Sequence, residues 1–267
     1  MLTDETEQLL EKVEKLKKEL ASMRPLSRSE LERLESEWLF EYTYDSNAIE
    51  GSTLTLDETV LLLRYQVTIS EKPLSYQLDA VGHRDAFIYI KNLVNSDFVF
   101  TEREIKDIHR LVYLNGYPED RGVYRKLDVF IGGSEDELAK PFEIKDKMEQ
   151  LIQHYDTVLK KGNMIKAVSE FHLMFENIHP FLDGNGRTGR LILNLELMRA
   201  KYLPINIKFK DRRKYLDCFK DYHKNNKNAS SFINLVAGYQ IEELENHISI
   251  VKEANRLKDK LEGDIDI

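Results

Sequence analysis

Cysteine is nearly missing from this chain. Its one thiol, Cys218, has no internal partner for a disulfide, which fits a reducing cytoplasm. Uninterrupted apolar runs such as Val60 to Leu63 are far too short to span a bilayer, so no membrane partner is expected. The acidic start, MLTDETEQLL, lacks the basic-then-apolar layout of a signal peptide. Positive charge is in deficit: the net charge is −8, which argues against a general nucleic-acid binder. With six prolines and no biased tract, long disordered segments are not expected. What remains is 267 residues, 42% hydrophobic, enough for one large domain or a domain with a smaller appendage.

Most of the chain reads as helix. Leu9, Leu10, Val13, Leu16 and Leu20 recur among charges over residues 2 to about 22, an amphipathic pattern. That stripe fits packing on the protein's own core and pairing with a second copy equally well. Ser27 with Glu30, Thr55 with Glu58, and Thr101 with Glu104 each carry the capping-box spacing that opens a helix. Residues 75–95, 145–160, 211–225 and roughly 231–260 read as further helices, and Asn163 is placed to cap the helix running toward Asn177. Only one region reads as β. Asp128-Val-Phe-Ile131, then Gly132-Gly133 and an acidic loop, then Pro141-Phe-Glu-Ile144 suggest a short hairpin or flap. The expected fold class is mostly α with that hairpin, divided as an N-terminal helical extension (1–70), a core (71–240) and a C-terminal helix (241–267).

The chemistry concentrates in His179-Pro-Phe-Leu-Asp-Gly-Asn-Gly-Arg-Thr-Gly-Arg190. Gly184-Asn185-Gly186 opens a helix, where unpaired N–H groups and the positive dipole end bind anions. Arg187 and Arg190 are three apart and suit bidentate contact with phosphate. Asp183 is well placed to hold Mg²⁺, which usually takes one or two carboxylates with substrate phosphates and waters. His179 can accept a proton near neutral pH. The string is not a P-loop, because no Lys-Ser or Lys-Thr follows the glycines. Taken singly, a histidine before proline is commonly structural, an aspartate before glycine commonly forms a turn, and helix arginines are commonly solvated. Twelve residues that supply a base, a metal ligand, a phosphate cradle and an arginine pair make those readings weak together.

HPFLDGNGRTGR closely resembles the Fic motif, HPF-x-(D/E)-GNGR-x-x-R, with every defining position filled. The resemblance extends to Gly122-Val-Tyr-Arg125, the 129–144 flap and the helices out to about residue 240. It implies a helical fold with a β-hairpin flap, and transfer of AMP from ATP to a Ser, Thr or Tyr hydroxyl of a target protein. It also implies Mg²⁺ and release of pyrophosphate. Under it His179 is the base, Asp183 the metal ligand and Gly184 to Gly186 the anion hole, with Asn185 aimed at the α-phosphate. Arg187, Thr188, Gly189 and Arg190 complete the nucleotide site. Ile131, Gly132, Gly133 and Ser134 of the flap hold the target backbone by strand addition and border the nucleotide. Tyr215 matches an aromatic residue beside the adenosine in some relatives, and His223 matches a polar nucleotide contact more loosely.

Ser46-Asn-Ala-Ile-Glu50-Gly51 resembles the Fic inhibitory motif, (S/T)-x-x-x-E-(G/N). Ser46 and Glu50 share a helix face, and Gly51 suits the helix end. The resemblance implies that Glu50 pairs with Arg190 and occupies the group that the γ-phosphate needs. Competing readings are a deAMPylase or bifunctional enzyme, in which Glu50 aligns water, and a non-catalytic module that only senses ATP. A DNA-linked regulator with a C-terminal winged helix is disfavoured, since the chain closes in the acidic LEGDIDI.

Overall fold

The computed structural model describes residues 3–129 and 138–263. Among those residues the regular structure is all helical: α1 (Asp4–Ala21), α2 (Arg28–Ile49), α3 (Leu56–Tyr65), α4 (Leu74–Val94), α5 (Glu102–Val112), α6 (Ile144–Thr157), α7 (Met164–Ile178), α8 (Asn185–Arg199), α9 (Arg212–Lys224) and α10 (Ser230–Gly263), with three single 3-10 turns. The three capping boxes form as the spacing predicts. Ser27, Thr55 and Thr101 each receive their glutamate on the backbone N–H, at 2.7, 2.8 and 2.8 Å. Asn163 caps α7 by accepting from Lys166 N at 3.2 Å.

The hairpin expectation is only partly testable and, where testable, is corrected. Ile131, Gly132, Gly133 and Ser134 lie outside the described residues. Pro141–Glu143 is a 3-10 turn, and Ile144 already begins α6. The alternation Phe142/Ile144 resembles a strand, but Pro141 sits in the first helical turn and Glu143 accepts from the Lys140 N–H at 2.8 Å. Local capping overrides the two-residue period there. No β-strand occurs among the described residues.

α7 and α8 form the centre. α8 is enclosed on almost every side, with Leu191, Ile192, Leu193, Leu195 and Leu197 all buried, as expected of a helix that is not amphipathic. α4 and α5 cover one side of it, and α7 carries the core toward α6 and α10. The N-terminal stripe packs on its own chain: Leu10 and Val13 are buried in the core shared with α10, with Leu9, Leu16 and Leu20 packed against it. Each fully buried aliphatic side chain of this kind contributes roughly 1.5–3 kcal/mol. Thr6 adds a hydrogen bond to Asn234 Oδ1 at 2.7 Å.

α2 matters most for the site. Its first turns lie at the surface, but Tyr42, Thr43, Asp45, Ser46, Asn47, Ala48 and Ile49 are buried. Asp45 fixes the helix by accepting from Phe209 N at 2.9 Å and from Asn206 Nδ2 at 2.8 Å. The buried end of α2 therefore carries Ser46 and Glu50 to the start of α8.

Candidate active site

His179 caps the C-terminus of α7 in the left-handed region, at φ 51. A histidine costs energy there, and such strain persists only where surroundings hold it. Arg125 supplies the hold. It is 5% exposed. Its Nε donates to His179 O at 2.8 Å, and its backbone N–H donates to Pro180 O at 2.9 Å. Its two terminal nitrogens donate to Leu127 O at 2.8 Å and Ala139 O at 2.5 Å. One buried guanidinium thus ties the histidine turn to the backbone at Leu127 and Ala139. Sequence reading named Arg125 only as part of a matching stretch.

The turn from Phe181 to Gly184 is built by two further residues. Asn185 spends its whole amide on Phe181, accepting from its N–H and donating to its carbonyl, both at 2.9 Å. Its side chain is therefore a loop clamp and is not aimed outward at a phosphate; what Asn185 offers an anion is its backbone N–H. His109 stacks on Phe181 with ring centroids 3.7 Å apart. Its Nδ1 accepts from Gly122 N at 2.9 Å, so Nε2 carries the proton and donates to Asp183 O at 2.9 Å. Burial pushes the His109 pKa down to about 4, which keeps that tautomer neutral. No local signal in the sequence marks His109, because its partners lie 13 and 74 residues away.

Gly184 sits at φ 77, a conformation that suits glycine, and no side chain caps α8. The N–H groups of that first turn are left for a ligand. Asp183 stands beside them with its side chain 58% exposed. Its Oδ1 accepts from Gly184 N at 2.5 Å, which leaves Oδ2 to meet a cation. No cluster of three or more metal-ligating side chains occurs among the described residues. One exposed carboxylate beside an anion site fits Mg²⁺ held largely by phosphates and water, and does not fit a protein-built metal cage.

Both arginines of the string are buried and paired. Arg187, 3% exposed, lies 2.5 Å from Asp79 Oδ1 on α4, whose other oxygen accepts from Asn115 at 3.1 Å. Its Nε has no hydrogen-bond partner among the described residues. Burial raises the Asp79 pKa, and Arg187 pulls against that shift. Arg190, 2% exposed, donates from Nε to Ser46 Oγ at 3.0 Å, and from Nη2 to Ser46 O and Glu50 Oε1, each at 2.8 Å. The sequence expectation of a Glu50–Arg190 pair matches this geometry. Glu50 is the C-cap of α2, and Gly51 follows it at φ 99. The Glu50 carboxylate also covers Gly186: a Cβ there would lie 2.3 Å from Glu50 Oε1. Glu50 therefore sits over the first turn of α8.

Residues 99–197 match the Fic/DOC family. The chain is 32% identical over 236 residues to a protein adenylyltransferase Fic of Nematostella vectensis, covering 86% of this chain and 53% of that protein. Residues 99–197 are therefore similar to a Fic/DOC domain. A Fic domain-containing signaling protein of Bacteroides thetaiotaomicron superposes with a TM-score of 0.80 at 26% identity, covering 94% of this chain and 98% of that one. Fic-1 of C. elegans gives 0.83 at 25% identity, covering 93% and 73%. The chain spans about half or less of the length of the curated relatives it matches, 53% and 38% for two of them. The Fic/DOC match runs from just before α5 into α8, so it includes His179 to Arg190 and leaves out Glu50.

Three residues expected at the nucleotide are turned into the core. Thr188 is fully buried on α8. Gly189 faces α7, where a Cβ would meet Glu176 Oε1 at 2.8 Å and the His172 ring at 2.9 Å. Tyr215 is 3% exposed, so little of its ring is open to an adenosine. Its hydroxyl meets His172 Nε2 at 2.9 Å and accepts from Arg190 Nη1 at 3.3 Å, so it supports the arginine from behind. In each case a helix face set by the 3.6-residue period points into the core. His223, on α9, is half-buried beside Tyr222.

Proposed function

We propose that this chain is a protein adenylyltransferase held off by its own Glu50. A Ser, Thr or Tyr oxygen of a target protein attacks the α-phosphorus of ATP. The new O–P bond forms as the bond to the bridging oxygen breaks, pyrophosphate leaves, and the hydroxyl proton goes to His179. The first turn of α8 receives phosphate oxygens, and Arg187 and Arg190 bind the outer phosphates. Asp183 would hold Mg²⁺, which would supply charge neutralisation on the phosphates. The target docks along the 129–144 flap.

The observation that carries this reading is the uncapped, glycine-opened start of α8, preceded by His179 and Asp183 and backed by two buried arginines. Relatives named protein adenylyltransferase Fic support it. Glu50 on Arg190 supports the restraint, because the γ-phosphate and the carboxylate compete for one guanidinium. The same carboxylate is 39% exposed over the phosphate site, so it is also placed to align a water for AMP removal. The test is incorporation of labelled AMP from ATP into proteins of a lysate, read by mass spectrometry. The Glu50→Gly variant should label strongly, and adding His179→Ala should abolish labelling. Binding of ATP without transfer in the Glu50→Gly protein would support the sensing module instead, and AMP removal from a labelled target would support the hydrolytic reading.

A further inference from the structure

Glu176 lies three residues before His179, on the last turn of α7, and its carboxylate reaches the inner edge of that ring. Glu176 Oε2 is 3.5 Å from His179 Nδ1. Neither atom group is at the surface. Glu176 is 8% exposed, and Nδ1 of His179 is enclosed with no hydrogen-bond partner among the described residues. The other oxygen, Glu176 Oε1, is likewise enclosed and unbonded. Buried polar groups almost always serve a partner, so a carboxylate and a ring nitrogen left facing each other call for an explanation.

The neighbours fix the carboxylate in place. Gly189 on α8 makes the room, and His172, one turn earlier on α7, packs beside it. His172 is anchored by Tyr215 at 2.9 Å and stacks on Phe232 at 4.9 Å. Burial pushes the His172 pKa down to about 4, so it is neutral at physiological pH. Burial also pushes the Glu176 carboxyl up, but His179, His172 and Arg190 outweigh it and hold Glu176 below its ordinary value. The titratable groups that face Glu176 or the His172 beside it are thus His172 on α7, His179 at its C-cap, Arg190 on α8, Glu50 from the end of α2 and Tyr215 on α9.

A neutral imidazole carries its proton on one nitrogen only. To take a proton from a hydroxyl at Nε2, His179 must keep its own proton on Nδ1. The Nδ1 edge is the one shut against Glu176, which leaves the opposite edge, with Nε2, to face outward. We infer that Glu176 is a positioning residue for AMP transfer: it accepts the Nδ1–H of His179, fixes the ring with Nε2 toward the target hydroxyl, and stabilises the imidazolium that forms. The inference rests on His179 being the base. The proton moves from the hydroxyl to Nε2 as pyrophosphate leaves, and Glu176 stays ionised throughout. A separation of 3.5 Å before substrate binds is ordinary for such a pair, which tightens when the reacting groups assemble.

The test uses the full chain in the Glu50→Gly background, with two readouts. The first is the pH dependence of kcat and the KM for ATP in Glu176→Gln and Glu176→Asp. The Gln variant should lose about 10- to 100-fold in kcat, a share of the ~10²–10⁴ that a positioned base supplies. Its KM for ATP should hold within about 2-fold. The acidic limb of its profile should move down, because the imidazolium loses its anion. The Asp variant should recover part of the rate. The second readout is long-range ¹H–¹⁵N NMR of histidine-labelled protein, with His179 assigned by the loss of its peaks in His179→Ala. His179 should be the Nδ1–H tautomer in the parent and a mixture in the Gln variant. Unchanged kcat and pH limb in the Gln variant, or an Nε2–H tautomer in the parent, overturns the inference. The parent tautomer decides the matter even where the Gln variant misfolds. The NMR readout needs no transfer, so an active His179→Ala enzyme would sink the proposed function while Glu176 was still being read.

Discussion

Arg190 donates to Glu50 Oε1 at 2.8 Å across 140 residues of sequence. The two ends of this pair are unequal: the arginine side chain is 2% exposed and the glutamate 39%. Ser46 Oγ, the Ser46 carbonyl and the Tyr215 hydroxyl also accept from the same guanidinium. Removing Glu50 therefore leaves the arginine in position and frees its charge. A charge-assisted hydrogen bond is worth about 1.5–3 kcal/mol, which corresponds to roughly 10- to 100-fold. Glu50→Gly should raise AMP incorporation by about that factor, while Tm changes little because the partner is half-exposed. Labelling that does not rise in the variant would remove the case for a brake.

Asp79 plays the matching part for Arg187, but inside the protein. Asp79 is 8% exposed and Arg187 3%. Breaking a buried pair by neutralising one partner costs about 3–5 kcal/mol, since the other charge stays buried. Asp79→Asn retains the shape and the Asn115 contact but loses the charge. For a chain of this size each kcal/mol is worth roughly 2–4 °C, so Tm should fall by about 6–20 °C. A calorimetric Tm within a degree of the parent would mean that Arg187 finds compensation elsewhere.

Acid should unfold this protein through its buried histidines. Burial holds His109 and His172 at about 4, and His83 well below its ordinary value. Unfolded, each titrates near 6.5. Between about pH 6.5 and 4 the unfolded chain binds protons that the folded chain refuses, so stability is full above that window and falls as pH drops. His109 and His172 together give a slope of up to ~2.7 kcal/mol per pH unit. Protonating Nδ1 of His109 also removes the acceptor for Gly122 N–H and loosens the Asp183 turn. Urea midpoints at pH 7, 6 and 5 should decline steeply, and His109→Gln should flatten the decline by about one proton. A level series across that range would show that these rings are not held neutral.

The three capping boxes were readable because their partners are three residues apart. The start of α8 was readable because its glycines and charges are contiguous. Residues that position the chemistry from a distance were not. Asp79, His109 and Arg125 carry no local pattern that separates them from solvated helix or loop residues. Their partners are 108, 74 and 54 residues away by the numbering, and only packing brings them together. Glu176 is the exception, since its spacing of three from His179 is visible in the string; what hides it is that burial decides its role. The misread 141–144 segment shows the converse. A two-residue apolar alternation yielded to a proline and a returning glutamate, both local signals. The burial of Thr188, Gly189 and Tyr215 was hidden for a third reason: motif adjacency says nothing about which helix face turns inward.

Arg125 offers the sharpest separation of chemistry from nucleotide binding. Its guanidinium bonds three carbonyls at once, those of His179, Leu127 and Ala139, at 2.8, 2.8 and 2.5 Å. A lysine keeps the charge but is a single point donor on a flexible stem, so it cannot span three acceptors in fixed directions. Arg125→Lys should therefore release the carbonyl of His179, Leu127 or Ala139, while the first turn of α8, Asp183, Arg187 and Arg190 stay as they are. In the Glu50→Gly background, kcat for AMP transfer should fall at least about 10-fold, because a base displaced by a fraction of an ångström loses much of its effect. ATP affinity by calorimetry should remain within about 2-fold, the pattern of an interaction lost only in the transition state. Equal losses in ATP affinity and in kcat would instead mean that Arg125 supports the whole pocket, and an unchanged kcat would mean that α7 and Pro180 hold His179 without it.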